Sequence, residues 1–154
     1  MRTIVLILCV IAFVATGNAQ NLVEGEDGLY YDSYMNLYSG TYSEYYPDKT
    51  KKLEMNIKNG LKDGEVLYYY ENGKNKEIRS YQNGLKHGLW TTWNEKGIKT
   101  AVANYTNDKK DGQWIVWDEN GTKRYEMTYK EGARAGTWYM WDENGKLISE
   151  KSFD

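Results

Sequence analysis

Hydrophobic and polar residues alternate one for one in short stretches of this chain. Tyr125, Met127 and Tyr129 fall on one side of such a stretch, with Arg124, Glu126 and Thr128 on the other. Leu53, Met55 and Ile57 stand likewise against Lys52, Glu54 and Asn56. A period of two predicts antiparallel strands with one packed and one wet face. No helical period runs through the chain beyond residue 19. Glycine bounds the stretches, often as Asn-Gly: Asn59-Gly60, Asn72-Gly73, Asn83-Gly84, Asn120-Gly121 and Asn144-Gly145. This pair tolerates positive φ at both central positions of a two-residue hairpin turn. The turn glycines follow at alternating intervals of 13 and 11 residues, from Gly60 to Gly73, Gly84 and Gly97. That leaves room for strands of about 5–7 residues. The predicted fold class is all-β, an elongated antiparallel meander of β-hairpins forming a single twisted sheet.

The hairpins repeat. Gly40, Gly64, Gly88, Gly112 and Gly136 are each 24 residues apart, without insertion. Gly73, Gly97, Gly121 and Gly145 keep the same spacing, with Lys49 in the first unit's slot. Gly60, Gly84 and Gly132 form a third series, with Asp108 in the remaining slot. Aromatic columns run in step. Two residues past the first glycine stand Tyr42, Val66, Trp90, Trp114 and Trp138; five past it stand Tyr45, Tyr69, Trp93, Trp117 and Trp141. Seventeen past it stand Ile57, Tyr81, Tyr105, Tyr129 and Phe153. A gap-free internal period of this kind marks a repeat architecture. Residues 40–154 are read as five units and residues 20–39 as an N-terminal cap or degenerate repeat, because Asn36-Leu37-Tyr38-Ser39-Gly40 resembles a worn copy of the later turns.

The first strand of each unit departs from simple alternation. Positions two and five differ in parity, so their rings cannot share a face in a regular strand. Either a bulge between them flips the phase and joins both rings in one aromatic core, or the strand is aromatic on both faces and presents a ladder of rings for binding. Tyr42, Tyr45, Tyr69, Trp90, Trp93, Trp114, Trp117, Trp138 and Trp141 are therefore the candidate binding surface.

The N-terminus changes the picture of where the chain works. Arg2 precedes an uncharged apolar run from Ile4 to Ala15, and Gly17 and Ala19 fit a cleavage site before Gln20. Residues 1–19 are thus expected to be a cleaved signal peptide and the chain secreted or periplasmic. The run is shorter than the ~20 residues of a membrane span, so no stable membrane insertion is expected after cleavage. Cleavage takes away the single Cys, Cys9, and one of the 20 basic residues, leaving 19 against 22 acidic ones, a net charge of −3. Such a chain has no disulfide to staple it and no bulk attraction for nucleic acid. All six Trp and fifteen Tyr lie beyond the segment, so aromatic rings on a pleated surface supply the packing.

Catalytic chemistry finds little foothold. His87 is the only histidine, and Ser39, Asp63, Asp111 and Ala135 hold its slot in the other units. That is a turn position; a catalytic His needs an oriented partner and a nucleophile. Asp118-Glu119-Asn120-Gly121 and Asp142-Glu143-Asn144-Gly145 lack the alternating acids and distal Glu of a calcium loop and read as tight turns. Lys49-Thr50-Lys51-Lys52 and Lys109-Lys110 read as solvated faces. Neither a metal nor a cofactor is expected, and the chain is expected not to be an enzyme. Asn104-Tyr105-Thr106 and Asn120-Gly121-Thr122 match the glycosylation sequon.

The stretch Tyr81-Gln82-Asn83-Gly84-Leu85-Lys86-His87-Gly88-Leu89-Trp90-Thr91-Thr92-Trp93, repeated from Tyr129 to Trp141 with Glu131 for Asn, resembles the MORN-repeat variant family in its Trp-rich bacterial form. The resemblance spans residues 36 to 154. It implies an elongated twisted sheet serving as a scaffold or interaction surface, and members of this type are often labelled antitoxin-like. The expected role is an exported protein-interaction scaffold or binding module. The alternatives are a carbohydrate- or cell-wall-binding module using exposed Trp, and an antitoxin- or immunity-type partner. The expected partner is another protein or a glycan, and not nucleic acid.

Overall fold

The computed structural model describes residues 22–153, so the expected signal peptide lies outside the described residues. These residues form strands and turns and contain no helix. A two-stranded ribbon, β1 (Val23–Glu24) with β2 (Tyr30–Tyr31), precedes a ten-stranded antiparallel sheet. Its strands are β3 (Gly40–Tyr45), β4 (Lys51–Lys58), β5 (Leu61–Tyr69), β6 (Asn75–Gln82) and β7 (Leu85–Trp93). They continue as β8 (Lys99–Thr106), β9 (Lys109–Trp117), β10 (Lys123–Lys130), β11 (Ala133–Trp141) and β12 (Leu147–Ser152). Every strand pairs with its sequence neighbours, from β3 at one edge to β12 at the other. The sheet is an open meander, as the alternation and the glycine intervals predict.

Two kinds of turn alternate, and the difference corrects the uniform reading of Asn-Gly. At Asn59-Gly60 and Asn83-Gly84 both residues have positive φ, as do Asn107-Asp108 and Glu131-Gly132 in the matching slots. These are two-residue hairpins of the primed type. At Gly73, Gly97, Gly121 and Gly145 only the glycine is left-handed. There the glycine N–H closes a four-residue turn, as in Gly121 N to Asp118 O at 3.0 Å, and the chain continues through a bulge. The side chain opening the later turns holds them. Asn94 Oδ1 accepts from Lys96 and Ile98 N–H, Asp118 Oδ1 from Asn120 and Thr122, and Asp142 Oδ1 from Asn144 and Lys146. These acids thus serve the backbone as turn formers.

The primed turns also bind unit to unit. Gly84 N–H donates to Lys62 O, Asp108 N–H to Lys86 O and Gly132 N–H to Lys110 O, at 2.8–2.9 Å. Gly60 N–H donates to Tyr38 O in the same way, so the segment before the first unit occupies a repeat position. A Cβ on Gly60, whose φ is +75°, would meet Leu37 Cδ2 at 2.7 Å and Tyr30 O at 3.1 Å, so that turn is pinned beneath the N-terminal segment. The segment is tied internally as well. Tyr31 Oη donates to Asp27 at 2.6 Å, and Asp32 accepts from Tyr34 and Asn36 N–H; these bonds hold both carboxyls below the ordinary range.

The core lies at the N-terminal end. Tyr30, Met55, Ile57 and Val66 are buried, with Leu22, Tyr38, Tyr42, Leu53, Tyr68 and Tyr81 packed around them. Beyond β5 most of the sheet is half-buried on both sides, as a single layer must be.

Candidate functional site

The position of the bulges decides how the two tryptophan columns lie. In β7, Trp90, Thr91 and Thr92 pair without interruption with Ala103, Val102 and Ala101. One register shift follows at Trp93, which pairs with Lys99; another precedes Trp90, between Arg79↔Trp90 and Tyr81↔Lys86, around the left-handed Gly88. The step from Thr92 to Trp93 spans two residues of β8, so the extra residue, Thr100, lies on the neighbouring strand; β7 itself keeps its alternation and the two rings face opposite sides. The same pairing recurs at Trp114 and Trp117. Of the two arrangements open at the sequence level, the structure has the strand aromatic on both faces.

The column at position two builds the interior of one face. Tyr81, Trp90, Tyr105, Trp114, Tyr129, Trp138 and Phe153 form a continuous file with successive centroids 4.8–5.4 Å apart and planes tilted by 49–65°. Such tilted contacts suit the ring quadrupoles and contribute about 0.5–1.5 kcal/mol per pair beyond burial. Each indole N–H is bonded across the ladder: Trp90 to Ser80 O, Trp114 to Asn104 O and Trp138 to Thr128 O, at 2.9–3.0 Å. Burial raises the phenol pKa of Tyr81 and Tyr105. Four of the seven rings, Tyr81, Tyr105, Tyr129 and Phe153, come from second strands, at the seventeenth position of their units.

Val66 interrupts the tryptophan column, and the N-terminal segment explains it. In the later units a cation two residues before the glycine lies over both rings of its unit: Lys86 over Trp90 and Tyr105 at 5.2 and 5.3 Å, Lys110 over Trp114 and Tyr129 at 4.2 and 4.7 Å. Lys62 lies over Tyr81 at 5.5 Å and over Tyr30 at 5.3 Å. Tyr30 therefore supplies the ring that Val66 lacks, and its cover leaves Val66 at 0 % exposure. Position 66 is small because a ring from another part of the chain sits there. These cations were not among the sequence-level candidates, although their signal, Lys or Arg recurring at 62, 86, 110 and 134, is in plain view.

The column at position five stands on the other face, at the strand ends. Tyr45 is 58 % exposed, while Tyr69, Trp93, Trp117 and Trp141 are half-buried. Their backbone is fixed from outside. Tyr46 Oη donates to Tyr69 O and Tyr70 Oη to Trp93 O, both at 2.8 Å, and Arg124 Nε to Trp141 O at 3.0 Å. Among the described residues no acceptor receives the indole N–H of Trp93, Trp117 or Trp141, in contrast to the other column. Trp141 has Tyr139 at 5.9 Å and Lys123 Nζ 4.8 Å above its ring. Strands lie about 4.8 Å apart and each unit contributes two, so these rings recur about every 10 Å.

The nine candidate residues thus divide. Tyr42, Trp90, Trp114 and Trp138 belong to the packed face; Tyr45, Tyr69, Trp93, Trp117 and Trp141 form a row on the other, whose three indole nitrogens are unbonded among the described residues. His87 is half-buried in its bulge, and its Nδ1 has no hydrogen-bond partner. Among the described residues no three of His, Cys, Asp and Glu gather where a metal ion could be held.

Residues 62–83, 110–131 and 134–154 match the family model described as MORN repeat variant. No curated protein matches the chain.

Proposed function

We propose, from the premise that the chain belongs to the MORN repeat variant family, that it is an exported, non-catalytic scaffold whose open sheet binds a protein partner. The observation that carries this reading is the row of Trp93, Trp117 and Trp141. Side chains of neighbouring units bond the backbone carbonyls of Trp93 and Trp141, while the indole donors of the row are left for a partner. Aromatic rings with a free donor are the groups that most often dominate an interface. Export rests on the apolar run from Ile4 to Ala15 behind Arg2.

The test compares the mature chain with a Trp93→Ala, Trp117→Ala, Trp141→Ala triple variant as bait for cross-linking in envelope extracts of its host. A stoichiometric partner retained by the parent and lost by a folded triple variant supports the reading. Equal retention by both would refute it. A second reading, binding of a linear glycan, is favoured by the ~10 Å period of the row, set by two strand spacings per unit, which suits two sugar rings of an extended β-linked chain. Tryptophan fluorescence titrated with a glycan panel checks it: a shift in the parent but not the triple variant supports the glycan reading, and no shift removes it.

A further inference from the structure

From β7 to β12 the opposite face, the one carrying the aromatic file, bears cations and none of the ladder-paired carboxylates, although the chain as a whole is acidic. Residues opposite one another in the ladder share a face, and from β7 to β12 that face holds Trp90, Ala103, Trp114, Trp138 and Lys151 along one line. Thr92, Ala101, Val116, Tyr125, Met140 and Ser149 hold the next. Lys86 and Arg134 stand opposite Tyr81 and Tyr129, and Lys110 opposite Tyr105. None of these paired positions is a carboxylate. Among the described residues no acidic group lies within ion-pair distance of Lys86, Lys110 or Arg134, although Lys51, Lys52, Arg79, Lys123 and Arg124 are all paired. The rings hold each cation from below, with Arg134 5.1 Å from Trp138 and 5.3 Å from Phe153. Among the described residues the ammonium and guanidinium donors of these three side chains have no hydrogen-bond acceptor.

The N-terminal segment indicates what fits there. Residues 22–39 contain Glu24, Glu26, Asp27 and Asp32 and no basic side chain. This segment covers the same face at the first two units. Tyr30 lies under Lys62, and Leu22, Glu24 and Lys62 line one open cavity with Tyr68. Among the described residues, the third to fifth units have the same cations without such a cover. We infer that the face bearing Lys86, Lys110 and Arg134 docks an acidic, tyrosine-bearing segment of a partner protein. A stacked sugar is disfavoured here, because the rings meet at steep angles and carry cations on their faces. The inference rests on the binding-module reading and names the chemistry of one partner, on the face away from Trp93, Trp117 and Trp141.

The probe is a fluorescent peptide with the sequence of residues 22–32, titrated by anisotropy against the full mature chain. Saturable binding that weakens with added salt is expected. The Lys86→Gln, Lys110→Gln, Arg134→Gln variant is expected to bind roughly tenfold more weakly, as loss of three exposed charge pairs implies. Lys130→Gln, on an exposed site outside both rows, is expected to bind as the parent does. A peptide with Gln and Asn for its acids is expected not to bind. Undiminished binding by the triple-cation variant, or equal binding of the neutral peptide, would overturn the inference. So would an absence of peptide binding alongside tight binding of polygalacturonate or phosphatidylserine vesicles, which would assign the face to a glycan or a membrane. Self-association of the chain that the cation variant abolishes would make a second copy the occupant and overturn it as well. If peptide binding is lost only with the Trp93, Trp117, Trp141 variant, this inference fails and the binding-module reading stands. If neither face binds anything, both fail.

Discussion

Trp114→Ala and Trp117→Ala remove the same side chain three residues apart and should have very different effects. Trp114 has Tyr105 at 5.2 Å and Tyr129 at 5.4 Å, donates to Asn104 O at 3.0 Å, and lies 4.2 Å beneath Lys110 Nζ. Each ring pair contributes about 1 kcal/mol, the hydrogen bond about 1 and the cation about 0.5. Losing them costs about 3–4 kcal/mol, within the range for burying and then deleting a tryptophan. Among the described residues Trp117 has no hydrogen bond from its indole, no ring pair and no cation above it. Its truncation should cost about 1 kcal/mol, near the ordinary value for a surface-strand change. For a chain of this size, melting should drop by about 10 °C or more for Trp114→Ala and by only a few degrees for Trp117→Ala. Circular dichroism melts and urea titrations of both variants read this directly. Equal losses would refute the division of the two columns into packing and presentation.

Three further outcomes follow from the same geometry. Tyr30→Ala should destabilise by about 2–4 kcal/mol through the cavity over Val66, and adding Val66→Trp should recover part of the loss, although Val66→Trp alone overpacks the covered site; urea midpoints of the four proteins close the cycle. Gly60→Ala should cost about 2 kcal/mol from its left-handed φ and the close approach of Tyr30 O, and more than Gly73→Ala, whose Cβ meets only Thr50 Cγ2 at 3.9 Å. Burial raises the phenol pKa of Tyr30, Tyr81 and Tyr105, so the folded state binds their protons more tightly than the unfolded chain. That stability is complete below about pH 10 and is lost as pH rises above it; melting temperature should fall on that side, and Tyr81→Phe should flatten the fall.

The period and the class were legible because glycines and rings recur at fixed spacing and the second strands alternate cleanly. The sequence also carried the parity conflict between positions two and five, but not its resolution. That depended on where the extra residues of each bulge fall: at left-handed Gly88 before Trp90, and at Thr100 on the neighbouring strand, opposite the step from Thr92 to Trp93. Asn-Gly alone could not distinguish the two turn types, since Asn72 takes ordinary φ while Asn59 does not. Val66 departs from the tryptophan column because Tyr30, from a distant part of the chain, fills the place of the missing ring. The cation column could be read off the chain, but its meaning required the rings beneath it.

The central claim is that one tryptophan column holds the sheet and the other is left for a partner. Amide hydrogen exchange of the six indole N–H groups, followed by nitrogen-15 correlation spectra on the mature chain, tests it most directly. Trp90, Trp114 and Trp138 should exchange slowly, each bonded to a carbonyl of the preceding strand, while Trp93, Trp117 and Trp141 exchange at the rate of a solvated indole. Six equally protected signals, or protection of the second set alone, would contradict it.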